Sequence, residues 1–170
     1  MKNYIAIALV IILSMCALYA MSGFFGYPTP PHKIKIDLSK SGNVYETMIK
    51  IREEDLYHFQ FRFITKRYKE DKGIDRDKVM KFTGALHTDG TMIPVKLSIY
   101  KLSGNKKERI IDGIYNTSGI NAAMAYALIR RIEVDRLDKG IYQIRLETLE
   151  DFEFLVGREA YLSIRQWKTK

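Results

Sequence analysis

Asp138-Lys139-Gly140-Ile141-Tyr142-Gln143-Ile144-Arg145-Leu146 is the stretch whose reading decides the fold. From Tyr142 onward apolar and polar residues alternate with period two, which puts Tyr142, Ile144 and Leu146 on one face of a strand. Asp138 and Gly140 suit a tight turn feeding that strand. A tyrosine placed just after such a turn can swing its hydroxyl back to upstream backbone and lock a corner between two packed sheets. Asp138, Gly140 and Tyr142 are therefore expected to form a structural tyrosine corner.

Working outward, Tyr57-His58-Phe59-Gln60-Phe61-Arg62-Phe63-Ile64 is the clearest strand. A helix would scatter its four aromatics, whereas a strand aligns Tyr57, Phe59, Phe61 and Phe63 against a core. Lys33–Leu38 and Val44–Arg52 alternate as well, the second with Tyr45, Thr47, Ile49 and Ile51 as its core face. Val95–Tyr100, Arg109–Tyr115 and Ala160–Trp167 read as further strands, and Gly104-Asn105-Lys106 as a turn. Ile129–Leu137 reads as a strand with Ile132 and Val134 facing one way, and Asn121–Ala127 as a loop or short helix. Asp89-Gly90 signals a hairpin, and Asp75 to Gly84 is framed as a helix of at most about two turns. The fold expected is all-β with minor α: an antiparallel immunoglobulin-like β-sandwich of about seven or eight strands with one short helix. Ile144 stands where antibody-type domains place a cysteine, which fits a variant without a disulfide.

An apolar leader helix precedes that domain. Tyr4 to Tyr27 contains no charged residue and follows Lys2, the pattern of a segment read by the export machinery. Residues 1–22 fit a cleaved signal peptide or a membrane anchor, with Ala20-Met21-Ser22 as the better cleavage site. Leu13-Ser14-Met15-Cys16 resembles a bacterial lipobox with Cys16 as the acylated residue, although Met15 is bulkier than that position favours. Residues 23–32 form a proline-rich spacer, Tyr27-Pro28-Thr29-Pro30-Pro31, read as extended, and residues 33–170 the sandwich.

Composition narrows function by exclusion. Cys16 is the one cysteine, so the exported domain holds no internal disulfide and no cysteine metal site. Without Lys2 the chain has 27 basic and 20 acidic residues, a net charge of +7. Export and the absence of a basic-aromatic nucleic-acid module argue against nucleic acid, while an anionic surface or acidic protein suits the charge. No nucleophile-elbow, zincin, phosphate-loop or dinucleotide motif occurs. His32 lies in the spacer, His58 on a polar strand face and His87 near Asp89, with no nucleophile placed beside any of them. Glu53-Glu54-Asp55 and Asp71, Asp75 and Asp77 are acidic, but lysines interrupt the second set and no EF-hand spacing results. We expect no catalytic residues, no metal and no cofactor.

The run Lys33–Trp167 resembles an uncharacterised family of bacterial cell-envelope domains, many of them small lipoproteins. The shared features are Phe59-Gln60-Phe61-Arg62-Phe63, Asp75-Arg76 with Val79 and Gly84, Leu137 to Tyr142, and Leu162-Ser163-Ile164. The resemblance implies an exported immunoglobulin-like domain and carries no activity with it. The expectation is a non-enzymatic binding domain, periplasmic or membrane-tethered, that touches the membrane through its N-terminal segment. In its most concrete form it is an inhibitor or immunity protein that neutralises a periplasmic toxin or lytic enzyme. A structural or assembly accessory protein and a glycan or small-ligand binder are the alternatives. Lys66, Arg67, Tyr68 and Lys69, at the head of the charged run Lys66–Asp77, are the candidate contacts for a protein partner.

Overall fold

The computed structural model describes residues 27–64, 84, 90–124 and 127–167. Among them nine strands are divided between two layers. They are β1 (His32–Ile36), β2 (Val44–Ile51), β3 (Asp55–Ile64), β4 (Ile93–Ser103), β5 (Lys106–Thr117), β6 (Ala122–Met124), β7 (Ala127–Leu137), β8 (Gly140–Thr148) and β9 (Ala160–Gln166). One layer has the order β1-β9-β3-β7-β6 and the other β2-β8-β4-β5, and every neighbouring pair is antiparallel. The fold is thus an antiparallel β-sandwich. Its last two strands lie in opposite layers, β8 between β2 and β4, and β9 between β1 and β3.

The core fills the space between the layers. Phe59, Phe61, Leu162 and Ile164 from the five-stranded sheet meet Ile49, Leu97, Ile99, Ile144 and Leu146 from the four-stranded one, all fully buried. These are the inward members of the alternating patterns, so period-two patterning dictates which side chains leave water. With no disulfide available, this apolar burial is the main term holding the layers together.

Three tyrosines lock three crossings between layers. The Tyr142 hydroxyl, at the start of β8, lies 3.0 Å from the Asp138 carbonyl and 2.5 Å from its Oδ1. Tyr57, at the start of β3, donates to the Glu53 carbonyl at 2.8 Å, again four residues upstream. Tyr45 closes the β1–β2 crossing by accepting from the Asp37 N–H at 2.6 Å and donating to the Asp37 carbonyl at 2.9 Å. Ile51 pairs with Gly140 and Asp55 with Leu137, so the Tyr57 and Tyr142 corners sit side by side at one end of the sandwich.

Several expectations are corrected. Gly140 is a strand residue rather than part of the turn, and its value is close approach: a Cβ there would lie 2.9 Å from Lys101 Cε. That room lets Lys101 reach Asp138 at 2.5 Å. Where a loop or short helix was expected, Ala122–Met124 forms β6 and pairs with β7, because hydrogen bonding to a sheet outweighs weak helix propensity over so short a run. Ile132 and Val134 do not share a face. A bulge opposite Phe59 and Gln60 leaves Ile132 in the core and sets Val134 opposite His58 on the outside. β1 takes up His32, whose Nε2 lies 3.1 Å from Thr47 Oγ1, and Lys50 donates to the Pro28 carbonyl at 2.9 Å. The spacer ahead of it is bent, with a cis Pro30–Pro31 peptide. The helical turn that the structure does describe is a 3-10 turn at Glu153–Leu155, while the helix expected from Asp75 and most of the Asp89-Gly90 hairpin lie outside the described residues.

Candidate functional site

Strand alternation leaves each layer an outer face, and the two differ in how their charges are used. On the four-stranded sheet Arg145 pairs with Glu46 at 3.9 Å and Glu147 at 3.5 Å. Asp112 pairs with Lys96 at 3.7 Å and Arg109 at 3.6 Å, and accepts from Ser98 Oγ at 2.9 Å. That Ser98 bond, helped by Lys96 and Arg109, holds the Asp112 carboxyl below its ordinary pKa. Opposite charges directly across neighbouring strands stabilise the sheet and neutralise its face.

The outer face of the five-stranded sheet carries no such ladder. Lys33, Ser163, Gln60 and Arg131 lie in register across β1, β9, β3 and β7, and Lys35, Tyr161, Arg62 and Ile129 form the next row. Arg165, His58 and Val134 make a third row toward the corner end. Lys33, Lys35, Arg131 and Arg165 are exposed, and among the described residues none of them forms an ion pair. Arg62 is half-buried, and its Nε has no hydrogen-bond partner among the described residues. These three rows contain no carboxylate. Glu159, just before β9, is engaged by the Tyr161 hydroxyl. Trp167 stacks on His58 with ring centroids 4.6 Å apart and planes 5° from parallel, and stays 50 % exposed. Burial and the Arg131 charge hold the His58 pKa down.

The strand termini define the ends of this face. Pro28, whose carbonyl accepts from Lys50, and Trp167, whose N–H donates to the Leu56 carbonyl at 2.8 Å, both sit at the corner end. Ile64, paired with Ala127, and Ile93, paired with Thr117, sit at the opposite end. Ile64 and Ile93 thus lie at the end of the sandwich away from Pro28.

Lys66, Arg67, Tyr68, Lys69 and Cys16 lie outside the described residues, as do Asp71, Asp75, Asp77 and His87. Asp138, Gly140 and Tyr142 are brought together as described above. Burial and the Asp138 bond push the Tyr142 phenol well above its usual pKa, while Lys101 and Tyr142 hold Asp138 below the usual carboxylate range. Arg130 and Arg131 do not form one surface cluster. Arg130 faces inward at 2 % exposure and donates from Nε to Gly119 at 2.9 Å and from Nη1 to Thr91 at 2.7 Å. Burial lowers its pKa only to about 10, so it keeps its charge near neutral pH. Glu54 is tied to Arg136 at 3.4 Å, and Asp55 accepts from Gln166 at 2.9 Å. No group of three metal-ligating side chains occurs among the described residues, and none of their helices is long and apolar enough to cross a membrane. Sequence reasoning missed the basic lattice: its cations stand at the polar positions of their strands, but the strand order that aligns them is not a local signal.

Taken together, these features define a class, a small antiparallel β-sandwich with tyrosine-locked crossings and one unneutralised outer face. Residues 33–166 match the model of DUF5625, a domain of unknown function, and the chain belongs to that family. A crystal structure of GEBA250068378 from Sulfurospirillum deleyianum is similar at 31% sequence identity and a TM-score of 0.70. The similarity covers 81% of this chain and 98% of that one. No curated protein matches the chain.

Proposed function

We propose that this protein is an exported, non-catalytic binding domain of the bacterial envelope, an inhibitor or immunity-type protein that neutralises a periplasmic toxin or lytic enzyme. The observation that carries the reading is the separation between Pro28 and the strand ends Ile64 and Ile93. A leader tethering the domain at Pro28 would hold it by the end opposite Ile64, and Lys66, Arg67, Tyr68 and Lys69, which follow Ile64 closely in sequence, are the contacts we assign to the partner. Tyrosine and arginine are the side chains that anchor protein interfaces most strongly.

Affinity purification of the tagged full-length protein from its native envelope, with mass spectrometry of bait and prey, tests this. The expected result is a stoichiometric hydrolytic or toxin-like prey whose activity falls in the complex, together with a bait whose mature N-terminus reveals cleavage or acylation at Cys16. Abundant folded bait with no enriched protein would contradict it. An assembly role is the second reading, favoured by the position of β1 at an open sheet edge, where an added strand could pair.

A further inference from the structure

The five-stranded sheet carries its unneutralised cations around row centres where Ser163, Gln60 and Ile129 are buried. From Trp167 to the Lys35–Arg62 row the lattice runs about 20 Å along the strands and, over four strands, about 14 Å across. Lys33, Lys35, Arg131 and Arg165 are exposed on it without ion-pair partners among the described residues. A face of this kind repels itself and any basic neighbour, and it gains from a planar array of negative charge. The aromatic at its corner end, Trp167, is held by His58 yet half exposed. Tryptophan in this setting suits a membrane–water interface, with an apolar body and a polar N–H.

The course of the chain supplies the second observation. The uncharged run Tyr4 to Tyr27 is long enough to enter a bilayer, and it meets the domain at Pro28, on the same end as Trp167 and Arg165. β1, which carries Lys33 and Lys35, follows that junction within a few residues. Lys168 and Lys170 extend the positive charge beyond Trp167 in sequence. A domain held by its leader would have this face within reach of lipid headgroups.

We propose that the outer face of the five-stranded sheet docks on anionic phospholipid, with Lys33, Lys35, Arg131 and Arg165 facing headgroup phosphates and Trp167 entering the interface. The proposal stands apart from the identity of any protein partner, because the strand ends Ile64 and Ile93 lie beyond the lattice. Each cation contributes an electrostatic attraction equivalent to about a fivefold gain in association at low salt, and the gain decays within a Debye length of about 10 Å.

Trp167 is the one tryptophan in the chain, so it reports from the docking face itself. The full-length protein would be reconstituted into phosphatidylcholine vesicles, with or without about a third of phosphatidylglycerol, in about 0.1 M salt. The anionic vesicles should shift Trp167 emission to the blue and cut its quenching by acrylamide at least about twofold, and about 0.5 M salt should reverse both changes. Lys33→Glu/Arg131→Glu/Arg165→Glu should abolish the difference between the two lipids while the β-sheet circular dichroism is retained. Lys33→Gln/Lys35→Gln, a milder variant, should weaken the difference if the triple variant fails to fold. Equal quenching in both lipids, a shift insensitive to salt, or an unchanged shift in the folded variants would overturn the proposal. Protection by soluble polyglutamate but not by anionic lipid would also overturn it, and would assign the face to an acidic protein.

Discussion

The two outer faces of the sandwich are built from the same alternating strands, yet they spend charge in opposite ways. On the four-stranded sheet Glu46, Arg145 and Glu147, and Lys96, Asp112 and Arg109, satisfy one another. On the five-stranded sheet Lys33, Lys35, Arg131 and Arg165 have no carboxylate in their rows. A charge already paired within a sheet has little left to offer a ligand, whereas an unpaired lattice attracts one.

The largest expected effect separates cations that belong to a face from one that does not. Arg130→Ala should lower unfolding free energy by about 2–4 kcal/mol, because it removes a buried side chain and strips two part-buried carbonyls of a charged donor. Arg131→Ala, one residue on and exposed, should change stability by less than about 0.5 kcal/mol. Chemical denaturation of both variants checks this, and equal losses would show that Arg131 is structural too.

Next come the corners that keep the layers, and so the faces, in register. Tyr142→Phe and Tyr57→Phe should each cost about 1–2 kcal/mol, as the lost hydroxyl leaves a partly buried acceptor behind. Neither should alter the charge of either face. Denaturation of the single and double variants would expose coupling, expected because the corners are adjacent.

The faces themselves should differ by less. Arg145→Ala removes two exposed ion pairs and should cost about 0–1 kcal/mol, while Arg165→Ala should be neutral or slightly stabilising by relieving repulsion. A clear loss from Arg165→Ala would reveal a partner for it and blur the contrast.

The smallest effect is the share of the pH dependence that comes from Asp112 on the paired face. Asp112 has its folded pKa depressed, chiefly by Ser98, so its contribution is present above the ordinary carboxylate pKa and is lost as pH falls through the lower folded value. Stability to thermal unfolding should fall below about pH 4, and Asp112→Asn should reduce that slope. Reversal of Lys33 to Glu would bring no comparable acid sensitivity to a face where no bonded carboxylate exists.

How much of this was legible follows from the range of each signal. Alternation over Tyr57–Ile64 and Val95–Tyr100 is local, and it revealed both the strands and the core residues Phe59, Phe61, Leu97 and Ile99. The Tyr142 corner was legible because Asp138, Gly140 and Tyr142 are close in sequence. The Tyr57 corner has the same four-residue geometry, but its acceptor is the backbone of Glu53 in a run that reads as an acidic loop, so the sequence marks Tyr57 only as core. The inward turn of Arg130 and the outward turn of Val134 follow from a bulge that no local pattern announces. The basic lattice was invisible for a related reason: Lys33, Gln60, Arg131 and Ser163 are brought into one row only by strand order.

The most direct test of the contrast is a lysine-acetylation footprint of the full-length protein in its native envelope, set against the same protein in detergent. The account predicts that Lys33 and Lys35 become protected in the envelope, while Lys50 and Lys96 on the other sheet label equally in both settings. Equal labelling of Lys33 and Lys35 in envelope and detergent, or protection confined to Lys50 and Lys96, would contradict it.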